Sequence, residues 1–402
     1  GIINSLSHIK KLEDNKKQNM KLDILMEVYI DIKMNIVENK EAINDFIDCV
    51  IEISDSVNSD NWNGEDVMGI FFNEFNRYKK KSESGQVFTP DHITSLMYKI
   101  LEVNANDKIL DAACGSGAFL VKSMSNMIKE VGGINTKEAK KIKEHSLFGI
   151  EFDREIFALA CANMMIHKDG KTNLEQLDSR DKEASEWIKS KGITKVLMNP
   201  PFERKYGCKK IVENVLNSVP SGIKCAFIMP EKKMEKDKMG KLLEKHHLEA
   251  IIKLPEKLFD AGVTTSIYVF ETGKKQVGEI YGCYIEDDGL ERVKNQGRQD
   301  IKDKWMELEN YWVDSIRKRN DTKYGTSQWI DPKKFLSYQK PKAEFVLYEE
   351  DFVKTMMNYL MFKNKIDVKE FSDKLINKTL YNSEILKEDN NIVIKIKDAE
   401  DE

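Results

Sequence analysis

From Asp107 to Phe270 the chain alternates short β-type runs with amphipathic helical stretches, and few folds accept that rhythm. The β-type runs are Lys108 to Asp111, Leu147 to Glu151, Val196 to Met198, Cys225 to Met229, Leu248 to Leu254 and Thr265 to Phe270. Between them, Gly117 to Glu130, Arg154 to His167, Lys209 to Asn217 and Glu235 to His247 carry helical periodicity. The alternation predicts an α/β fold, a mostly parallel sheet covered by helices on both faces. In such sheets ligands bind beyond the carboxyl ends of the strands, and the unusual residues of this chain fall at those ends.

The flanks read differently. Leu22 to Ile53 and Asp66 to Lys80 place apolar residues at helical spacings, so residues 1–82 are expected to form a helical domain whose aromatic stripe is core. Residues 83–275 are then the sheet domain. Residues 276–402 form an accessory region, with a strand at Ile280 to Ile285 and helices at Trp305 to Lys318 and Asp351 to Phe362. Trp305, Trp312, Arg317 and Arg319 on the first of these helices suit either core packing or contact with DNA or a partner.

Of the 402 residues, 41% are hydrophobic and 33% charged, as in a well-cored globular protein. No stretch approaches the roughly twenty apolar residues that span a bilayer, and residues 1–17 lack a signal-peptide core, so no membrane association and a cytoplasmic location are expected. Gly1 in place of methionine suggests missing upstream sequence. The six cysteines form no CxxC pair and are expected to be reduced, with no metal bound. The net charge of -4 argues against a protein-wide basic field. Lys79 to Lys81, Lys137 to Lys143 and Lys232 to Lys241 are local basic runs, solvated faces or phosphate contacts.

Asp111-Ala112-Ala113-Cys114-Gly115-Ser116-Gly117-Ala118-Phe119 follows a strand and opens a helix, so its glycines let the backbone turn sharply against a ligand. The dinucleotide fingerprint wants a third glycine where Leu120 stands, and no P-loop lysine follows. A cofactor with an amino-acid end and one nucleoside fits better, with Asp111 meeting an ammonium group. Glu151 ends the next strand, where a carboxylate would accept from both hydroxyls of a ribose, while Asp153 suits helix N-capping. Asp178-Ser179 is either an ordinary turn or a contact to an adenine edge. In Gly85 to Pro90, Thr89 as N-cap and Pro90 as first helical residue make a sound helix start. Phe88 and the Thr89 backbone also suit a cofactor pocket.

Asn199-Pro200-Pro201-Phe202 closes the run Val196 to Met198. The prolines remove two donors, leaving the turn's carbonyls as acceptors beside the Asn199 side-chain oxygen. A flat base with an exocyclic amine would find acceptors there and a ring in Phe202, although Asn-Pro is also a common turn signal and the phenylalanine would serve equally as core.

In this order the motifs resemble those of the S-adenosylmethionine-dependent DNA adenine-N6 methyltransferases, specifically the modification subunits of type I restriction-modification systems. Ala226 to Pro230, Leu254 to Phe259 and Gly262 to Ile267 are similar to that subunit too, and the resemblance covers roughly residues 60 to 275. It implies a Rossmann-like class I methyltransferase fold. It also implies a cofactor, S-adenosylmethionine, held by Phe88, Thr89, Pro90, Asp111, Cys114, Gly115, Ser116, Gly117, Glu151 and Asp178. Asn199, Pro200, Pro201 and Phe202 would hold a flipped-out adenine of double-stranded DNA. The implied partners are specificity and restriction subunits. Alanines at 112 and 118 depart from the family's usual proline and glycine. A self-contained adenine-N6 enzyme is the alternative, and RNA amines or protein amides are further substrates for a similar turn.

Overall fold

The computed structural model describes residues 40–71, 89–167, 173–202, 207–235, 240–256, 258–259, 263–293, 297–341, 348–373, 383–388 and 391–396. It divides into two compact units, residues 1–339 and residues 340–402.

The first unit is built on a nine-stranded sheet. In chain order its strands are β1 (Ile109–Asp111), β2 (Leu147–Glu151), β3 (Asn173–Gln176), β4 (Lys195–Met198), β5 (Lys224–Pro230), β6 (His247–Lys253), β7 (Thr265–Glu271), β8 (Ile280–Tyr284) and β11 (Ser327–Ile330). Across the sheet they run β11-β8-β6-β7-β5-β4-β1-β2-β3. The half β3-β2-β1-β4-β5 is parallel throughout. β7 inserts antiparallel between β5 and β6, and β8 continues parallel to β6. Strand order reverses between β1 and β4, the kind of switch point at which α/β sheets open a crevice for ligands.

The central strands are apolar on both sides because both faces are covered. Ile109, Leu197, Ala226 and Ile228 pack into one core layer, and their neighbours Leu110, Val196, Met198, Cys225 and Phe227 into the other. Helices α2 (Asp91–Ile100), α3 (Ala118–Glu130), α4 (Lys137–His145), α5 (Arg154–Ile166) and α10 (Trp305–Lys318) supply the first layer. Helices α6 (Lys182–Lys189) and α7 (Cys208–Ser218), with the short α8 (Glu231–Glu235) and α9 (Gly240–Leu243), supply the second. Each fully buried Leu, Ile, Val or Phe contributes about 1.5–3 kcal/mol.

Asp153 caps α5 as its sequence position requires, accepting from the Glu155 and Ile156 amides. Five of the six cysteines are buried and none forms a disulfide. Trp305 and Trp312 are core residues, and Arg317 Nε donates to the Lys99 carbonyl at 3.0 Å, so this helix spends its aromatic and basic groups within the unit. The sheet runs past residue 275, because β8 and β11 extend it from β6. A small hairpin, β9 (Glu291–Val293) and β10 (Gly297–Gln299), precedes α10.

Two expectations are corrected. The helix expected from Glu235 to His247 stops short of its carboxyl end, since α9 ends at Leu243 and His247 opens β6 by pairing with Glu271. The amino-terminal helix α1 (Lys40–Val57) forms, but Phe71 of the aromatic stripe expected as core is exposed, as are Ile47, Val50, Ile51 and Ile53 on α1. Phe72, Phe75 and Lys79 to Lys81 lie outside the described residues.

The second unit contains α11 (Glu349–Lys363) and an antiparallel hairpin of β12 (Ser383–Glu388) and β13 (Asn391–Ile396). Helix α11 buries no residue and exposes Phe352, Val353, Met356 and Leu360.

Candidate active site

Beyond the carboxyl ends of β1, β2, β3 and β4 lies one cavity, and it gathers expected site residues from five separate stretches of sequence. Asp111, Cys114, Gly115 and Ser116 come from the loop after β1, Glu151 from the end of β2, and Asp178 from the loop after β3. Asn199, Pro200 and Pro201 follow β4, and Thr89 enters from the segment before α2.

Three of the expected site residues that are described are not in its lining. Gly117 sits behind it as the N-cap of α3 with φ 98°, a left-handed conformation that glycine adopts without cost. Pro90 is the N-cap of α2, so that helix begins one residue later than the sequence suggests. Phe202 is 8% exposed and packs edge-to-face on Phe259 with ring centroids 5.4 Å apart. Phe88 lies outside the described residues.

The shift at Pro90 releases the Thr89 hydroxyl from capping. Its Oγ1 accepts a hydrogen bond from Asn199 Nδ2 at 3.0 Å, which fixes the orientation of the Asn199 amide. Glu151 braces the glycine loop, with Oε2 accepting from the Gly115 amide at 3.0 Å and Oε1 from the Asp153 amide at 2.9 Å. Burial raises its pKa despite those bonds. Asp111 Oδ1 accepts from the Ala113 amide at 3.0 Å, and with 2% exposure its carboxyl is pushed up to about 8, chiefly by burial and further by the Glu151 charge. Burial also holds the Cys114 thiol in its protonated form, so Cys114 offers packing and not a nucleophile.

Asp178 behaves oppositely. Arg180 Nε donates to both its carboxylate oxygens, at 2.8 and 3.0 Å, and the pair keeps Asp178 below the usual carboxylate range. The same guanidinium lies 5.8 Å from the centroid of the Phe152 ring. Phe152 and Arg180 both line the cavity and were not picked out from the sequence, although each adjoins a recognised residue, in Glu151-Phe152 and Asp178-Ser179-Arg180. Ser179, itself buried, donates to the Ala112 carbonyl and locks the β3 loop onto the glycine loop.

The comparisons with known proteins bear on this site directly. Residues 63–221, which include every described lining residue from Thr89 to Ile211, match the N-6 DNA methylase family. Among curated relatives, the chain is 30% identical over 340 residues to the type II restriction enzyme and methyltransferase RM.BcgI of Heyndrickxia coagulans, covering 78% of this chain and 51% of that protein. It is 22% identical over 215 residues to the EcoEI methylase subunit of the Escherichia coli type I restriction enzyme, covering 48% and 43%. The chain thus spans about half the length of the curated relatives it matches.

Solved structures agree on the fold. A Vibrio vulnificus YJ016 protein described as a modification subunit of a type I restriction enzyme superposes with a TM-score of 0.53 at 19% identity, over 68% of this chain and 60% of that one. A chain of a type I restriction-modification system, solved for its complex assembly and conformational transition, gives 0.53 at 18% identity over 78% and 71%. The likeness is one of fold, a mostly parallel α/β sheet covered by helices on both faces. No described helix is long and apolar enough to cross a membrane.

Proposed function

We propose that the chain transfers a methyl group from S-adenosylmethionine to the N6 amine of an adenine flipped out of double-stranded DNA, as the modification subunit of a type I restriction-modification system. The observation that carries this reading is the convergence of three strand-end carboxylates and an Asn-Pro-Pro turn on one cavity at the sheet's switch point.

The residues suit this cofactor. A carboxyl buried as deeply as Asp111 is poised to meet a cation, which is what an α-ammonium group provides. Each Glu151 oxygen accepts one backbone N–H and retains a second lone pair for a ribose hydroxyl. Asp178 and the Phe152 ring offer an acceptor and an aromatic face for adenine, and Thr89, Cys114, Gly115 and Ser116 close the wall. When bound, the cofactor supplies a methyl group activated by a sulfonium.

Double-stranded DNA hides its adenine amines, so the target base must leave the stack at a cost of a few kcal/mol. Asn199 Oδ1 and the Pro200 carbonyl would accept its two N–H bonds. Those bonds turn the nitrogen lone pair out of conjugation with the purine, and that makes the amine nucleophilic. Catalysis is then mainly positioning and electrostatics. Stacking on Phe202 requires its ring to be uncovered when DNA is bound, since Phe259 packs against it in the free protein.

A second reading is favoured by the wider and closer match to RM.BcgI, whose name joins restriction to methylation. In it this chain is the methylating module of an enzyme that combines both activities. Methylation of duplex DNA by the purified chain, alone and with a specificity subunit encoded beside it, tests the proposal. Adenine-N6 methylation only in the presence of that subunit supports the type I arrangement, methylation by the chain alone supports a self-contained module, and transfer confined to RNA or protein sinks both.

A further inference from the structure

The segment upstream of the cavity, residues 58–71, is fastened along α3 as a strap. The Ile134 amide donates to Asp60 Oδ1 at 2.9 Å, Ser125 Oγ to the Trp62 carbonyl at 3.1 Å, and Lys122 Nζ to the Asn63 carbonyl at 2.6 Å. Gly64 permits this closeness. Its φ is 75°, and a Cβ there would come within 2.7 Å of Ser125 Cβ and 3.1 Å of the Lys122 backbone.

The strap ends on the glycine loop. Asp66 receives Ser116 Oγ–H, Asn163 Nδ2 at 2.8 Å and the Gly69 amide at 2.9 Å. Asn163, fully buried on α5, donates at the same time to the Ser116 carbonyl at 2.9 Å. Ser116 is therefore gripped by side chain and by backbone, and its 2% exposure shows that its hydroxyl is turned to the strap. Gly69 must stay small, because a Cβ at that position would meet Asp66 Oδ2 at 2.2 Å.

This matters because Ser116 stands between Gly115 and Gly117, with φ 56° and 98°. Glycines leave a loop many conformations, and the freedom lost on ordering them weighs against ligand binding unless the loop is held beforehand. Sterics do not hold Gly115, where a Cβ would meet nothing within 4 Å. Hydrogen bonds do, that of the Gly115 amide to Glu151 on the cavity side and those on Ser116 on the strap side.

We propose that Asp66 is a positioning residue that pre-orders the Gly115-Ser116-Gly117 loop for the cofactor, an inference that rests on S-adenosylmethionine being the ligand of this cavity. Asp66 touches neither cofactor nor substrate. It acts through Ser116, so its loss weakens cofactor binding and spares turnover at saturation.

Calorimetric titration of the full chain with S-adenosylmethionine, beside steady-state methylation of duplex DNA and thermal melting, tests this. Asp66→Ala is expected to raise the cofactor Kd and KM roughly tenfold, the order set by stranding buried donors, with kcat within about twofold of wild type. Asp66→Asn keeps an acceptor for Asn163 and Gly69 and a partner for the Ser116 hydroxyl, and is expected to stay near wild type. Ser116→Ala should raise Kd as Asp66→Ala does, and the double variant should be no worse than either single one. Asp60→Ala, which cuts the strap only at Ile134, should lower the melting temperature and leave Kd unchanged. Wild-type-like binding by Asp66→Ala, additive effects in the double variant, or an equal rise in Kd from Asp60→Ala overturns the role of Asp66 while leaving the cofactor assignment intact. Failure of the wild-type chain to bind S-adenosylmethionine overturns the assignment and this inference together.

Discussion

Asn199 Nδ2 donates a hydrogen bond to Thr89 Oγ1 at 3.0 Å, joining the turn after β4 to a hydroxyl 110 residues earlier in the chain. Neither residue needs the other for its local structure. The bond orients an amide that the reaction would use through its oxygen.

Asn199→Ala removes that oxygen and, with Asn199 holding the base as proposed, should abolish methylation while leaving the cofactor Kd within a few-fold. Thr89→Val keeps the shape and loses the acceptor, so the amide can rotate. A fall in kcat of roughly tenfold is expected, the order of one lost positioning bond. Isotope-labelled methyl transfer and calorimetry read the two quantities, and an equal collapse of both in Asn199→Ala would show that the turn belongs to cofactor binding.

Asp111 gives the cavity a pH dependence. Its pKa is raised from 3.8 to about 8, so the folded free protein holds a proton that the unfolded chain has released over that range, and stability falls as pH rises from about 4 to about 8. Asp111→Asn, which retains the acceptor for Ala113, should melt higher than wild type at pH 8, by upward of about 1 kcal/mol. A ligand ammonium favours the charged carboxylate. Cofactor affinity should therefore climb between pH 6 and pH 8 in the wild type and run flat in the variant, and parallel profiles would rule Asp111 out as the cation's partner.

Glu151→Ala removes the acceptor of the Gly115 and Asp153 amides as well as the proposed ribose contact. The expected result is a rise in cofactor KM of at least tenfold with little change in kcat. Glu151→Gln keeps one acceptor oxygen and should fall between. A kcat effect with unchanged KM would contradict the assignment.

Phe202 has two roles to lose. Buried against Phe259, its replacement by Ala should destabilise the domain by about 3–5 kcal/mol, which denaturant unfolding measures. If its ring also receives the base, duplex DNA with 2-aminopurine at the target adenine should brighten with wild-type protein, as flipping unstacks the base, and brighten less with Phe202→Leu. Identical signals would confine Phe202 to the core.

Much of the fold was legible because the information is local. Continuous apolar runs along β1, β4 and β5 and apolar stripes on α3, α5 and α7 follow from which residues are oily and how far apart they stand. The site was legible where glycines, prolines and carboxylates sit at strand ends, as at Gly115, Glu151 and Asn199. It was less legible at Thr89, where the competing partner, Asn199, is remote and the capping rule looks only three residues ahead. Phe152 and Arg180 were adjacent to recognised positions, but nothing local distinguishes a pocket aromatic from a core one.

By itself, the sequence determined the order of the elements, the sheet they form and the strand ends where chemistry collects, since backbone geometry and hydrophobic periodicity act over a few residues. Only the tertiary structure decided which of those ends share a cavity, that Phe202 turns into the core, and that Asp66, fifty residues before Ser116, grips the glycine loop. Those outcomes depend on strand order and packing across long separations, where no short-range preference of the chain specifies the partner.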